Sequence, residues 1–125
     1  MRIFGILSLL LVCVAMVRPG EKQVKAALEQ NNSRAIASYF HEHVSMTIGD
    51  KAGVYSQIQA EHILRDFFAR HPNLVYNQQH SACQGHAKHY TMGSYTSDKH
   101  AFSVTYLCEV KEGRTIVRTL TIQNK

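Results

Sequence analysis

The strongest constraint on this chain is a change of period at Pro72. Before it, Ala60, Ile63, Leu64, Phe67 and Phe68 recur at i, i+3, i+4, i+7 and i+8. That spacing lays one broad apolar stripe along a helix. From Leu74 to the end, apolar residues alternate with polar ones, which is the period of a half-buried strand. A chain that opens with helices and closes with consecutive strands folds as α+β, with helices covering one face of an antiparallel sheet. At 125 residues there is room for one such domain.

The local signals agree. Val24, Ala27 and Leu28 share a face and predict a helix over 21–30. Asn31-Asn32-Ser33 interrupts it and supplies an N-cap for a second helix over 33–41, with Ile36, Tyr39 and Phe40 on one side. Val44, Met46 and Ile48 alternate with Ser45, Thr47 and Gly49 and read as a short strand. Asp50-Lys51-Ala52-Gly53 then turns the chain, and Val54-Tyr55 is a brief return. Ser56-Gln57-Ile58-Gln59 is a capping box that starts the third helix. Four strands follow, over 74–83, 88–97, 101–110 and 114–123. Asp98-Lys99-His100 and Lys111-Glu112-Gly113 read as three-residue hairpin loops.

The N-terminus is a targeting segment. Arg2 precedes an apolar run over 3–17, which Arg18-Pro19-Gly20 closes. A charged start and a core of this length are those of a secretory signal peptide; a spanning helix needs about 20 apolar residues. The expectation is a cleavable signal over 1–17, a domain over 21–124, and export to the periplasm or cell envelope. An uncleaved anchor and lipidation at Cys13 are the alternatives, although Val12 is bulkier than the residue that usually precedes a lipidated cysteine. Cys83 and Cys108 then remain in an oxidising compartment. Strand parity turns Cys108 toward the helices and Cys83 away. Two strand spacings, roughly 9.5 Å, exceed the disulfide reach of about 7 Å, so no internal bridge is expected.

The net charge is +5, but Lys and Arg are scattered. A nucleic-acid binder clusters them on one stripe, so no nucleic acid is expected among the partners. The eight histidines are dispersed as well. Three or four converging ligands are what a zinc site requires, so neither a metal nor another cofactor is expected.

The stretch Val54-Tyr55-Ser56-x-x-Gln59-Ala60-Glu61-x-Ile63-Leu64-x-Asp66-Phe67-Phe68 resembles a domain-of-unknown-function family, numbered 4783, of small bacterial envelope proteins. Tyr90-x-Met92-Gly93 and Ile116-x-x-x-Leu120-x-Ile122 are similar to its strand patterns. That family in turn resembles the nuclear-transport-factor-2-like superfamily. The resemblance implies a cone-shaped α+β fold: a curved antiparallel sheet, here a four-strand meander plus a short N-terminal strand, wrapped around three helices. Relatives include ketosteroid isomerase and scytalone dehydratase as well as binding-only and dimerisation modules. The family has no assigned activity, so what carries over is fold.

Parity locates the expected pocket. With both loops three residues long, Met92 pairs with Tyr106 and Tyr106 with Arg118, and His80 lies across from Met92. The row His80, Met92, Tyr106 and Arg118 then lies under the helices, joined by Tyr90 and Phe67. A buried Arg needs a partner or a wet cavity. The expected role of Arg118 is to hold an anionic group that His80 and Tyr106 orient. No carboxylate falls on the predicted inner face, so a non-catalytic domain binding a small molecule or an envelope protein is the first reading. The alternative is a lyase- or isomerase-like enzyme using a His80–Tyr106 acid–base pair. The outer face, running from Thr91, Gly93 and Tyr95 across to Thr119 and Thr121, is the expected homodimer surface.

Overall fold

The computed structural model describes residues 19–84 and 88–125, with the backbone alone at position 19 and at 82–84. The segment at 1–17 expected to be a signal peptide, Cys13 and the side chain of Cys83 therefore lie outside the described residues.

Three helices form: α1 (Pro19–Glu29), α2 (Ser33–Ala37) and α3 (Gln57–Arg70). The second is shorter than the expected 33–41, because it is capped at Ser38 and Phe40 already belongs to a strand. The Asn32 side chain caps α2 by accepting from Ala35 N–H at 3.1 Å. The capping box of α3 is complete. Ser56 Oγ accepts from Gln59 N–H at 3.2 Å, and Gln59 Oε1 accepts from Ser56 N–H at 3.0 Å. Between α2 and α3 run β1 (Phe40–Ile48) and β2 (Lys51–Ser56). Both are longer than the sequence suggests: β1 starts at Phe40 because α2 ends at Ala37, and β2 starts at Lys51 because the turn falls at Gly49-Asp50 rather than at 50–53. Gly49 has φ +61°, a conformation that glycine adopts without strain. Four strands close the chain: β3 (Val75–Gln84), β4 (Lys88–Thr96), β5 (Ala101–Lys111) and β6 (Arg114–Asn124).

The six strands form one curved, unclosed sheet in the order β2-β1-β6-β5-β4-β3. Every neighbouring pair is antiparallel except β1 with β6, which runs parallel. A parallel pair requires a long crossover, and here everything from β2 through β5 supplies it. The helices share one face of the sheet. Leu28, Ile36 and Leu64 bury there in one cluster with Val44, Met46, Val104, Leu120 and Ile122. Removing a buried Leu side chain such as that of Leu64 costs about 2–5 kcal/mol.

Two loops differ from the sequence expectation by one residue, and both differences reassign faces. The β4–β5 loop spans four residues: Thr96 pairs with Ala101, and Ser97 N–H donates to His100 O at 2.9 Å. Thr91, not Met92, therefore pairs with Tyr106. A slip of one residue exchanges the two faces of a strand. Thr91, Gly93 and Tyr95 consequently point inward and are buried, while Met92 and Tyr90 are 48% and 37% exposed on the outer face. The β5–β6 turn has two residues, Glu112 (φ +54°) and Gly113 (φ +75°), the twist-matched hairpin form. A bulge at Arg118 then shifts the register again, so Cys108 pairs with Val117 and Tyr106 with Leu120.

Tyr95, fully buried, ties these layers together. Its hydroxyl donates to Leu28 O in the last turn of α1 at 2.6 Å. Its ring meets Phe68 of α3 edge-on at 5.6 Å and Tyr76 of β3 at 5.3 Å. Tyr76 lies directly over Gly93: a Cβ at that position would sit 2.7 Å from both Asn77 O and Tyr76 Oη. Part of that clash is with backbone, so it is not relieved by a side-chain rotation. Gly93→Ala is expected to lose about 1–3 kcal/mol of stability, the usual cost of overpacking, read as a lower urea midpoint with an unchanged m-value.

Candidate functional site

The concave face carries a row of uncharged hydroxyl groups across β3, β4 and β5. Ser81, Thr91 and Tyr106 pair across the three strands. Ser81 Oγ and Thr91 Oγ1 lie 3.4 Å apart. Gln78 sits beside them on the same face. Its Oε1 accepts from Tyr106 Oη–H at 3.3 Å and from Tyr76 Oη–H at 3.5 Å. Tyr76 and Tyr106 are buried, but Gln78 is exposed. The helices thus cover the two rings and leave the amide they point at open to solvent.

One step along the sheet, His89 occupies the row of Cys108 and of the backbone position of Cys83. Its Nε2 stands 3.1 Å from Glu21 Oε1 in the first turn of α1. Cys108 is buried beside it, with its thiol free.

Burial sets the protonation of this face. It pushes the Tyr76 phenol up to about 12, opposed by its hydrogen bonding with Tyr106. It raises Tyr106 further, with Tyr76 and Cys108 adding to the effect. The Cys108 thiol is pushed up to about 12 by burial and by the nearby Glu21. Burial likewise raises Tyr95. These groups hold their protons through the neutral range. The phenols act as hydrogen-bond donors, and the thiol lacks the ionised form that makes cysteine reactive.

The six residues expected at the pocket do not converge. Tyr106 alone belongs to the hydroxyl row. His80 does pair with Met92, but the β4–β5 register faces Met92 outward, and a bulge between Gln78 and His80 turns His80 to that same outer face, where it is exposed. Tyr90 shares that outer face. Arg118 is at the β6 bulge and donates from Nε to Glu109 Oε2 at 2.7 Å. Glu109 alternates with buried Cys108, so this ion pair is also on the outer face. The hydrogen bond from Arg118 holds the Glu109 carboxyl below its ordinary range. Phe67 is buried against Phe102, with ring centroids 5.1 Å apart, and takes no part in the row. Tyr76, Gln78, Ser81 and Thr91 were the residues to find. The signal for them is Gly93, since an interior strand glycine marks a close approach by a neighbour, here the Tyr76 ring.

Among the described residues no group of three or more His, Cys, Asp or Glu side chains could hold a metal ion, and no helix is long and apolar enough to cross a membrane.

The helix-then-meander order and the concave face under α1 define a nuclear-transport-factor-2-like domain. The structure is similar to an NTF-2-like protein of unknown function from Silicibacter pomeroyi, with TM-score 0.62 at 11% identity, covering 90% of this chain and 95% of that one. It is also similar to a putative calcium/calmodulin-dependent protein kinase type II association domain from Thiobacillus denitrificans, with TM-score 0.65 at 12% identity, covering 85% and 92%. At such identities the likeness is one of fold. Residues 21–123 match the family model of the domain of unknown function DUF4783, and the chain belongs to that family. A crystal structure of a DUF4783 protein from Bacteroides uniformis matches with TM-score 0.75 at 18% identity, covering 83% of this chain and 95% of that one. No curated protein matches the chain.

The protonation pattern predicts alkaline sensitivity. Each raised group keeps its proton in the folded state after the unfolded chain has lost it, so stability falls as pH rises. The fall begins near the ordinary Cys value of 9.0 and steepens past the ordinary Tyr value of 10.0. Each coupled tyrosine contributes about 1.4 kcal/mol per pH unit there. Urea midpoints measured from pH 8 to 11.5 should follow this course, and Tyr76→Phe should shallow the limb above pH 10.

Proposed function

We propose that this domain is an exported, non-catalytic binding module that holds a small neutral molecule on its concave face by hydrogen bonds. The observation that carries the reading is the convergence of two protonated phenols on the exposed Gln78 amide, beside the hydroxyls of Ser81 and Thr91. Such a face offers donors and acceptors without net charge, which suits an alcohol, amide or sugar-like group. The rationale for an anionic ligand weakens, because Arg118 is engaged by Glu109 on the other face. Acid–base catalysis by His80 and Tyr106 finds no support, because the two residues lie on opposite faces.

The test is an NMR titration with uncharged sugars and amides. Expected are saturable shifts at Gln78, Ser81, Thr91 and Tyr106. Gln78→Leu or Tyr106→Phe should weaken affinity about two- to tenfold, as loss of one neutral hydrogen bond does. Unaltered affinity in both folded variants would sink the reading. Export is tested separately by fusing residues 1–20 to a reporter enzyme that is active only outside the cytoplasm.

A second reading is association between copies through the outer sheet face. It is favoured by the exposure of Met92, Tyr90 and Val75 on that face of β3 and β4. The Thiobacillus neighbour is itself described as an association domain. Met92→Lys should then lower the sedimentation mass at micromolar concentration; an unchanged monomer in both forms would discard it.

A further inference from the structure

A second concavity lies beside the C-terminal half of α3. It is a cavity of about 310 Å³, closed on one side by the β1–β2 turn and on the other by the start of β5. This volume sits at the lower end of the range for small-molecule sites, about 300–1,000 Å³. Its apolar floor is Ile48, Ile63, Phe67 and Phe102.

One wall is aromatic. Phe67 meets Phe102 edge-on at 5.1 Å and His71 at 4.9 Å. His71 meets Phe102 at 4.9 Å and His100 at 4.8 Å, both edge-on. His100 stacks on Phe102 at 5.9 Å. Four rings therefore form a continuous array; Phe67 and His71 are tilted at 48°, and the other pairs take the edge-to-face or stacked geometries that aromatic pairs prefer. Burial, His100 and Arg70 all lower the His71 pKa, so its ring is held in the uncharged form. His71 Nδ1 is buried and has no hydrogen-bond partner among the described residues. A buried polar atom in that state calls for an explanation, and this one belongs to a residue lining the cavity.

The rim does not select a charge. Arg70 pairs with Asp66 at 2.9 Å, and Asp50 and Lys51 follow one another at the turn. Opposite charges in pairs leave little net field to attract an anion or a cation.

We propose that this cleft is a second binding site, taking a small aromatic molecule without net charge whose ring extends the array of Phe67, His71, His100 and Phe102. The proposal is independent of any ligand on the concave face, because the two sites share no residue.

The experiment is a two-dimensional NMR titration of the exported protein with indole and phenol. Cyclohexanol serves as the non-aromatic control, and benzoate and benzylamine as the charged ones. Expected are saturable shifts confined to residues 48–51, 63–71 and 100–102, with cyclohexanol at least tenfold weaker and neither charged probe preferred. His100→Ala removes an exposed ring without disturbing the core and should weaken indole about two- to tenfold. His100→Phe should restore it. The proposal is overturned if no probe saturates, if cyclohexanol binds as well as indole, if a charged probe binds best, or if His100→Ala binds unchanged. It is also overturned if the shifts map only to Gln78, Ser81, Thr91 and Tyr106, which would leave the concave-face reading standing.

Discussion

Tyr95 is the joint on which the domain turns. Its hydroxyl satisfies a carbonyl in the last turn of α1, one of the helix-end groups that have no partner within the helix. The same side chain packs edge-on against Phe68 of α3 and Tyr76 of β3. One fully buried residue thus fixes two helices against the curved part of the sheet. Its inward direction depends on the four-residue loop at 97–100, since a loop of three would turn Tyr95 to solvent. The position of Tyr76 over Gly93, and hence of its hydroxyl at Gln78, depends in turn on that same strand face.

The second consequence is an interior without charge at its centre. Burial makes the ionised forms of Tyr76, Tyr106 and Cys108 unfavourable, and the sheet sends its charged strand residues elsewhere. Arg118 and Glu109 meet on the outer face, and Glu21 approaches His89 at the margin under the first turn of α1. Leaving a lone charge in the concavity would cost several kcal/mol. The bulge at Arg118 avoids this by moving the side chain across the sheet while Leu120 and Ile122 stay in the core. The polar groups that remain inside can be satisfied by one another, which lets them be buried without an ion pair.

Much of this architecture is legible in the sequence. The stripe Ala60–Ile63–Leu64–Phe67–Phe68 and the capping box at Ser56 located α3 to within a residue. Alternation placed all four strands of the meander within about two residues of their ends. What alternation does not encode is which of the two faces is inward, because that depends on counting the residues in each turn. One residue more at 97–100 moved Met92 and Tyr90 outward and brought Thr91 and Tyr95 in, and one fewer at 112–113 paired Val117 rather than Ile116 with the inward side of β5. Bulges next to Gln78 and at Arg118 then displaced two of the expected pocket residues, and neither has a local composition signal. Gly93 was the one available clue, since the close approach of the Tyr76 ring explains it and an outer-face position does not.

The two adjacent phenylalanines of α3 pack toward two different parts of the molecule. Phe68 turns to Tyr95 and so braces the sheet beneath the hydroxyl row. Phe67 turns to Phe102 and His71 and so lines the aromatic cleft. The two neighbours are 100° apart around the helix by its 3.6-residue turn, so a single rigid element presents both. Their chemistries are complementary: the concave face offers hydrogen bonds with little apolar area, and the cleft offers rings with a charge-balanced rim. Because Phe67 and Phe68 are neighbours in the last turn of α3, any displacement of that end of the helix bears on the packing against Tyr95 and against Phe102 together.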